Sequence, residues 1–205
     1  MADEKKLFGD ERFIHQMDMV DNPPPENNIL DGYIIFNEEK IDFARKPVLD
    51  GRITVIMPEA FAIMAKELAE IKYPSINRPD EIHTNEETTI NFSVSLHNDE
   101  AANEDIPDVK DTLEQVIMRM NPASRVMSSE TITVSNLNIA YFDFKTAALD
   151  MDIYNMMFFL SLDNHIVVGS FNCPWVIMDT WKPVITQMLG SLEVNVGFRP
   201  ANSEF

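Results

Sequence analysis

The chain has 205 residues, 45% of them hydrophobic with 13 Phe and 13 Met, and a formal net charge of −18. That apolar content suffices for one sizeable core and excludes disorder along the whole length. The charge repels phosphate backbones and anionic lipid heads, so nucleic acid and acidic membrane are poor partners.

The start, Met1-Ala-Asp-Glu-Lys-Lys6, leads into a mixed polar stretch rather than an apolar run with a cleavage site. No window approaches the roughly 18 uninterrupted apolar residues of a membrane span. A cytoplasmic location is expected, unless an export route without a signal peptide is used. In residues 1–30, Phe13, Met17 and Val20 fall on one face of a short helix, which Pro23-Pro24-Pro25 would end. This stretch reads as a flexible arm on a single domain of residues 31–195, with a polar tail over 196–205.

From Gly32 the pattern becomes extended. Tyr33–Phe36 and Lys40–Phe43 around Asn37-Glu38-Glu39 predict a hairpin, and Leu49-Asp50-Gly51 a second turn into strand Ile53–Met57. Pro58 stops that strand and can open a helix over Glu59–Lys72, with Phe61, Met64, Ala65 and Leu68 inward. Thr88–Leu96 alternates strictly, Ile90, Phe92, Val94 and Leu96 against Asn91, Ser93 and Ser95, as a strand with one buried face does. His97–Asp105 reads as an acidic loop. A helix is expected over Pro107–Met120, with Val109, Leu113, Val116, Ile117 and Met120 inward.

Four strands with short turns follow, over Arg125–Val134, Ile139–Ala147, Met151–Leu162 and His165–Phe171. Ser135-Asn136 and Asp163-Asn164 read as the compact turns between neighbours. A last helix runs from near Asp179 to Leu189, with Asp179 or Thr180 as its N-cap. Strands joined by two-residue turns are antiparallel. The expectation is therefore α+β: a single antiparallel sheet flanked by helices.

The entry Ile53-Thr-Val-Ile-Met57-Pro58-Glu-Ala-Phe61 and the ending resemble a known family. That ending comprises strand His165–Phe171, Cys173-Pro174, Asp179-Thr-Trp181-Lys-Pro183 and Gln187-Met-Leu-Gly-Ser191-Leu192. The resemblance, over residues 32–194, is to the PsbP-like superfamily. That superfamily is the α/β/α sandwich shared by a photosystem II extrinsic protein and a Ran-binding nuclear-import factor. It implies a non-enzymatic binding or assembly role and carries no partner-contact residue over to this chain.

Sites of chemistry are sparse. The 6 Gly show no phosphate-cradle spacing, and His15, His83, His97 and His165 are dispersed, without metal-ligand spacing. His83 and His97 could meet if the strands of a hairpin paired. The loop Asn98–Asp108 is oxygen-rich but lacks the spacing and central Gly of an EF-hand. Cys173, the single cysteine, has no His nearby in sequence and reads as a small buried thiol. Among 34 acids, no residue marks a catalytic pair. No cofactor is expected.

The charge is uneven: residues 53–114 hold 14 acids and 4 bases, and Asp80–Glu114 carries 11 acids against Lys110 alone. A basic partner protein would suit this segment. The competing reading is that acidity keeps a Met- and Phe-rich protein soluble. Candidate partner-binding residues are Asp99, Glu100, Glu104, Asp105 and Asp108, with Trp175 and Trp181 as possible aromatic anchors; packing of both Trp in the core is the alternative. The expected role is a non-catalytic protein-binding or assembly module. An immunity protein or secretion-associated chaperone, and a small-molecule-binding protein or unrecognised hydrolase, are the alternatives.

Overall fold

The computed structural model describes residues 27–75, 78–147 and 150–195. Two antiparallel sheets make up the fold rather than the expected one. The smaller is ordered β1 (Tyr33–Phe36), β2 (Glu39–Val48), β3 (Ile53–Pro58), β11 (Glu193–Val194). The larger has seven strands. In spatial order they are β4 (Ala62–Ile63), β5 (Glu81–Thr84), β6 (Asn91–Glu100), β10 (His165–Pro174), β9 (Asp152–Leu162), β8 (Leu137–Ala147) and β7 (Val126–Val134).

Turn chemistry sets the registers. Asn37-Glu38, Ser135-Asn136 and Asp163-Asn164 all have positive φ at both residues, as two-residue hairpin loops matched to strand twist require. Leu49, Asp50 and Gly51 share that sign at the turn into β3. The expected strands at 125–171 therefore appear nearly as read, although β10 continues to Pro174.

Among the described residues three α-helices accompany the sheets: α1 (Lys66–Lys72), α2 (Ile106–Met120) and α3 (Met178–Gly190). The expected helix over 59–72 forms only in its second half. After Pro58 the chain turns, Phe61 N–H donating to Pro58 O at 3.1 Å, and Ala62–Ile63 then pair with β5. Phe61 and Met64 are buried as expected, but from this edge strand and its exit, while Leu68 is 37% exposed. Helix α3 starts at Met178 without a side-chain cap, so neither Asp179 nor Thr180 caps it. Of the inward set on α2, Val109, Leu113 and Ile117 pack against the sheet, whereas Val116 and Met120 face outward.

Alternation gives the larger sheet two faces. On the first, Phe92, Val94, Tyr154, Met156, Phe158, Leu160, Val167 and Phe171 share one core with the smaller sheet and α3. On the second, Ala140, Phe142, Phe144 and Phe159 pack beneath α2, which lies over β8 and β9. Ile29, expected in the arm, packs into the core of the first face. Ile29 is buried, its N–H donates to Gln187 Oε1 at 2.9 Å, and Gln187 Nε2 donates to Asn27 O at 2.8 Å. The expected arm helix around Phe13–Val20, the proline run and the tail over 196–205 lie outside the described residues. No helix among the described residues is long and apolar enough to cross a membrane.

One polar cluster, centred on the fully buried Asp143, ties β7, β8, β9 and α3 together. Asp143 Oδ1 accepts from Ser128 N–H (2.6 Å) and Ser128 Oγ (2.7 Å); Oδ2 accepts from Tyr154 Oη (2.9 Å) and Lys182 Nζ (2.7 Å). A buried carboxylate is tolerated when its lone pairs are filled in this way.

Two stability predictions follow from the first face. A Cβ on Gly169 would lie 1.9 Å from Phe158 Cζ, whose buried ring covers this glycine and stacks on Phe92 with centroids 5.4 Å apart. Gly169→Ala should therefore cost about 1–3 kcal/mol by overpacking. The double variant Gly169→Ala/Phe158→Leu should be less destabilised in urea than the two single losses added. Burial pushes the Cys173 thiol up to about 12, and burial with Glu130 beside it pushes Tyr141 up to about 12. Both groups keep their protons in the folded chain at pH values where the unfolded chain loses them. Stability is then unaffected below about pH 9 and falls as pH rises from there toward 12. Urea midpoints measured across that range should decline, and less steeply in Cys173→Ala.

Candidate functional site

Helix α2 shields only part of the second face, and the part over β6 and β10 is open. A groove of about 750 Å³ lies there. Side-chain size explains it. Beneath the helix the sheet presents Phe142 and Phe159; toward β6 it presents Ser170, Ser93 and Ser95. Ser93 Oγ and Ser170 Oγ are 2.8 Å apart and satisfy one another across the strands. Leu113 and Ile117 of α2, with Ile166 and Val168 of β10, supply apolar walls. Pro79 closes the far side, held where Asp80 N–H donates to Ser95 Oγ and its carboxylate accepts from Leu96 N–H.

The groove has one charged end. Strand β6 runs on to Glu100 where a loop was expected, carrying His97 and Asp99 along the groove; the chain then turns and enters α2, adding Asp105 and Asp108 at the same end. All three aspartates are exposed, and none forms an ion pair or side-chain hydrogen bond among the described residues. Glu100 and Glu104 are exposed neighbours of this end without lining the groove. Lys110, the base nearest in sequence, is buried and engaged with Ser129 (2.5 Å) and Asp111 (2.6 Å). The five acids singled out in the sequence thus gather around one end of one groove.

The tryptophans do not join them. Trp181 is 1% exposed and stacks between Phe61 (6.2 Å) and Phe171 (5.7 Å), so it is a core residue and no partner anchor. Trp175 is half-buried just beyond the last residue of β10, with Lys145 Nζ 4.6 Å from its ring centre. The acidic end lies at the opposite end of that strand, where Glu100 pairs with His165. His83 and His97 do not meet: His83 pairs with Phe92 on the core face, while His97 lies on the groove face. His83 Nε2 instead contacts Glu81 Oε1 at 2.5 Å, and Glu81 Oε2 accepts from Leu49 N–H, linking the two sheets.

Ser128 and Lys182 have the spacing of a serine–lysine pair, with Lys182 Nζ 3.2 Å from Ser128 Oγ. The same ammonium is 2.7 Å from a fully buried carboxylate, so the arrangement is a salt bridge rather than a poised base, and none of the three lines the groove. Cys173 is fully buried on the core face, with its thiol pushed away from the reactive thiolate form. No cluster of three or more metal-ligating side chains occurs among the described residues.

Sequence reasoning missed the groove's serine floor and its helical wall. A signal was present: over residues 90–96 the wet side of the alternation carries only Asn91, Ser93 and Ser95, too small to fill the space beneath a helix.

No family profile and no curated protein matches the sequence. Solved structures do. Cyanobacterial PsbP (CyanoP) from Synechocystis sp. PCC 6803 superposes with a TM-score of 0.54 at 11% identity, over 75% of this chain and 92% of that one. A protein from Bacteroides thetaiotaomicron VPI-5482 gives 0.50 at 11% identity, over 75% of this chain and 48% of its own, so the match spans about half of that chain. LpqN of Mycobacterium tuberculosis, described as involved in cell envelope biogenesis, gives 0.48 at 9% identity. The chain has a PsbP-like fold.

Proposed function

We propose that this chain is a non-catalytic protein-binding module whose groove between α2 and strands β6 and β10 receives a segment of a partner protein. The observation that carries this reading is the groove itself: about 750 Å³ of space with apolar walls, a polar floor and one acidic end. Apolar walls with a few placed polar groups are what a recognition site needs. The polar groups present support binding over catalysis. The floor hydroxyls of Ser93 and Ser170 bond to each other, with neither bonded to His97 or to a carboxylate. A nucleophile would need such a base.

The test is selection of random 12-residue peptides on the immobilised chain, with groove-blocking variants as the discriminator. Thr112 is an exposed residue of α2 that lines the groove, and Gln115 is an exposed residue of the same helix that does not. Peptides recovered on the unmodified chain should lose at least about tenfold in affinity for Thr112→Trp and keep it for Gln115→Trp. Recovered peptides indifferent to Thr112→Trp, or no recovered peptide at all, would sink the proposal.

A further inference from the structure

The dimensions and charge of the groove restrict its occupant further, on the reading that it is a partner site. Along β6 its lining runs from Ser93 to Asp99, six residues at about 3.3 Å, or about 20 Å. Along α2 and the residue before it, the lining runs from Asp105 to Ile117, twelve steps of about 1.5 Å, or about 18 Å. Both walls therefore give the same length, which about six residues of an extended chain would span.

The ends differ in charge. Asp99, Asp105 and Asp108 stand at one end, beside His97 and without an ion pair among the described residues, while the opposite end is bounded by Ser93, Ser170 and Ile117. Unpaired carboxylates beside an apolar trough fix the polarity of what lies in it. We infer that the occupant is a peptide segment about 20 Å long, apolar along its length, with Lys or Arg at the end that meets these aspartates. Over Asn91–Val94 strand β6 is paired on both sides, to β5 and β10, so no further strand can be added there. The cationic end sets direction.

Three synthetic hexapeptides test this on the full chain by fluorescence polarisation: Leu and Thr in alternation, ending in two lysines, two glutamates or two serines. The lysine peptide should bind at least about tenfold more tightly than the glutamate peptide, and raising salt from about 0.05 M to about 0.5 M should narrow the gap. In a triple variant, Asp99→Asn, Asp105→Asn and Asp108→Asn, the preference should vanish while the serine peptide binds as before. All three carboxylates are exposed, so the variant is expected to fold, which circular dichroism verifies. Equal binding of lysine and glutamate peptides, or an unchanged preference in the triple variant, overturns the charge assignment. Because the serine peptide still reports on the groove, that outcome is distinct from failure of the binding role, in which no peptide responds to Thr112→Trp.

Discussion

A strand has two faces, and each residue shift exchanges them, so a seven-stranded sheet must find cover twice. Here the two covers are unequal. The first face carries a continuous apolar surface, Phe92, Phe158, Phe171 and Tyr154 among it, sealed by a second sheet and α3 acting together. The second face has one well-packed helix, α2, seated on the aromatic strips of β8 and β9. Everything distinctive about the molecule's surface follows from that shortfall. Where aromatic residues stop and serines begin, no helix can rest without leaving a void, and the sheet stays open.

The asymmetry also explains where the charge collects. The chain reverses from β6 into α2 at one end of the open strip, and two of the carboxylates there have a local reason to exist. Asp105 and Asp108 stand at the start of α2, where acids offset the positive end of the helix. Asp99 has no such helix to serve, since it lies within β6. Among the described residues no base forms an ion pair with the three, whereas Asp163 is paired with Arg52 at 2.7 Å and Asp152 with Lys145 at 2.5 Å.

The antiparallel core was legible in the sequence because it is built from local signals. Asn and Asp at the hairpin turns announce left-handed backbone, and strict alternation in residues 90–96 announces a one-sided strand. The second sheet was not legible, because its separation depends on tertiary closure. Its fourth strand is two residues, Glu193–Val194, paired to Ile53–Thr54 across most of the chain. The first half of the expected helix after Pro58 failed for a similar reason: edge pairing of Ala62–Ile63 with β5 outweighed a helical pattern of apolar residues. At the site, the acids were visible in composition, while their convergence was not, since Asp99 and Asp108 are brought together only by the reversal at 101–105. Trp181 shows the converse limit, as an aromatic near a loop in sequence is a core residue in space.

Polar groups among the described residues fall into two populations, and the proposed recognition draws on one of them. Asp143 is fully buried and saturated by Ser128, Tyr154 and Lys182; Lys110 is buried and answered by Ser129 and Asp111. Groups so satisfied hold the fold together and have nothing left to offer a ligand, because each bond to a newcomer would cost one already made. The groove's aspartates are in the opposite state: hydrated, unpaired and aligned with an apolar trough. A cationic side chain meeting them gains attraction without breaking an internal bond, and an apolar neighbour on the same segment gains burial against Leu113 and Ile117. Affinity can therefore arise here at little cost to the fold, which is the physical reason to propose recognition at this groove rather than at the cluster around Asp143.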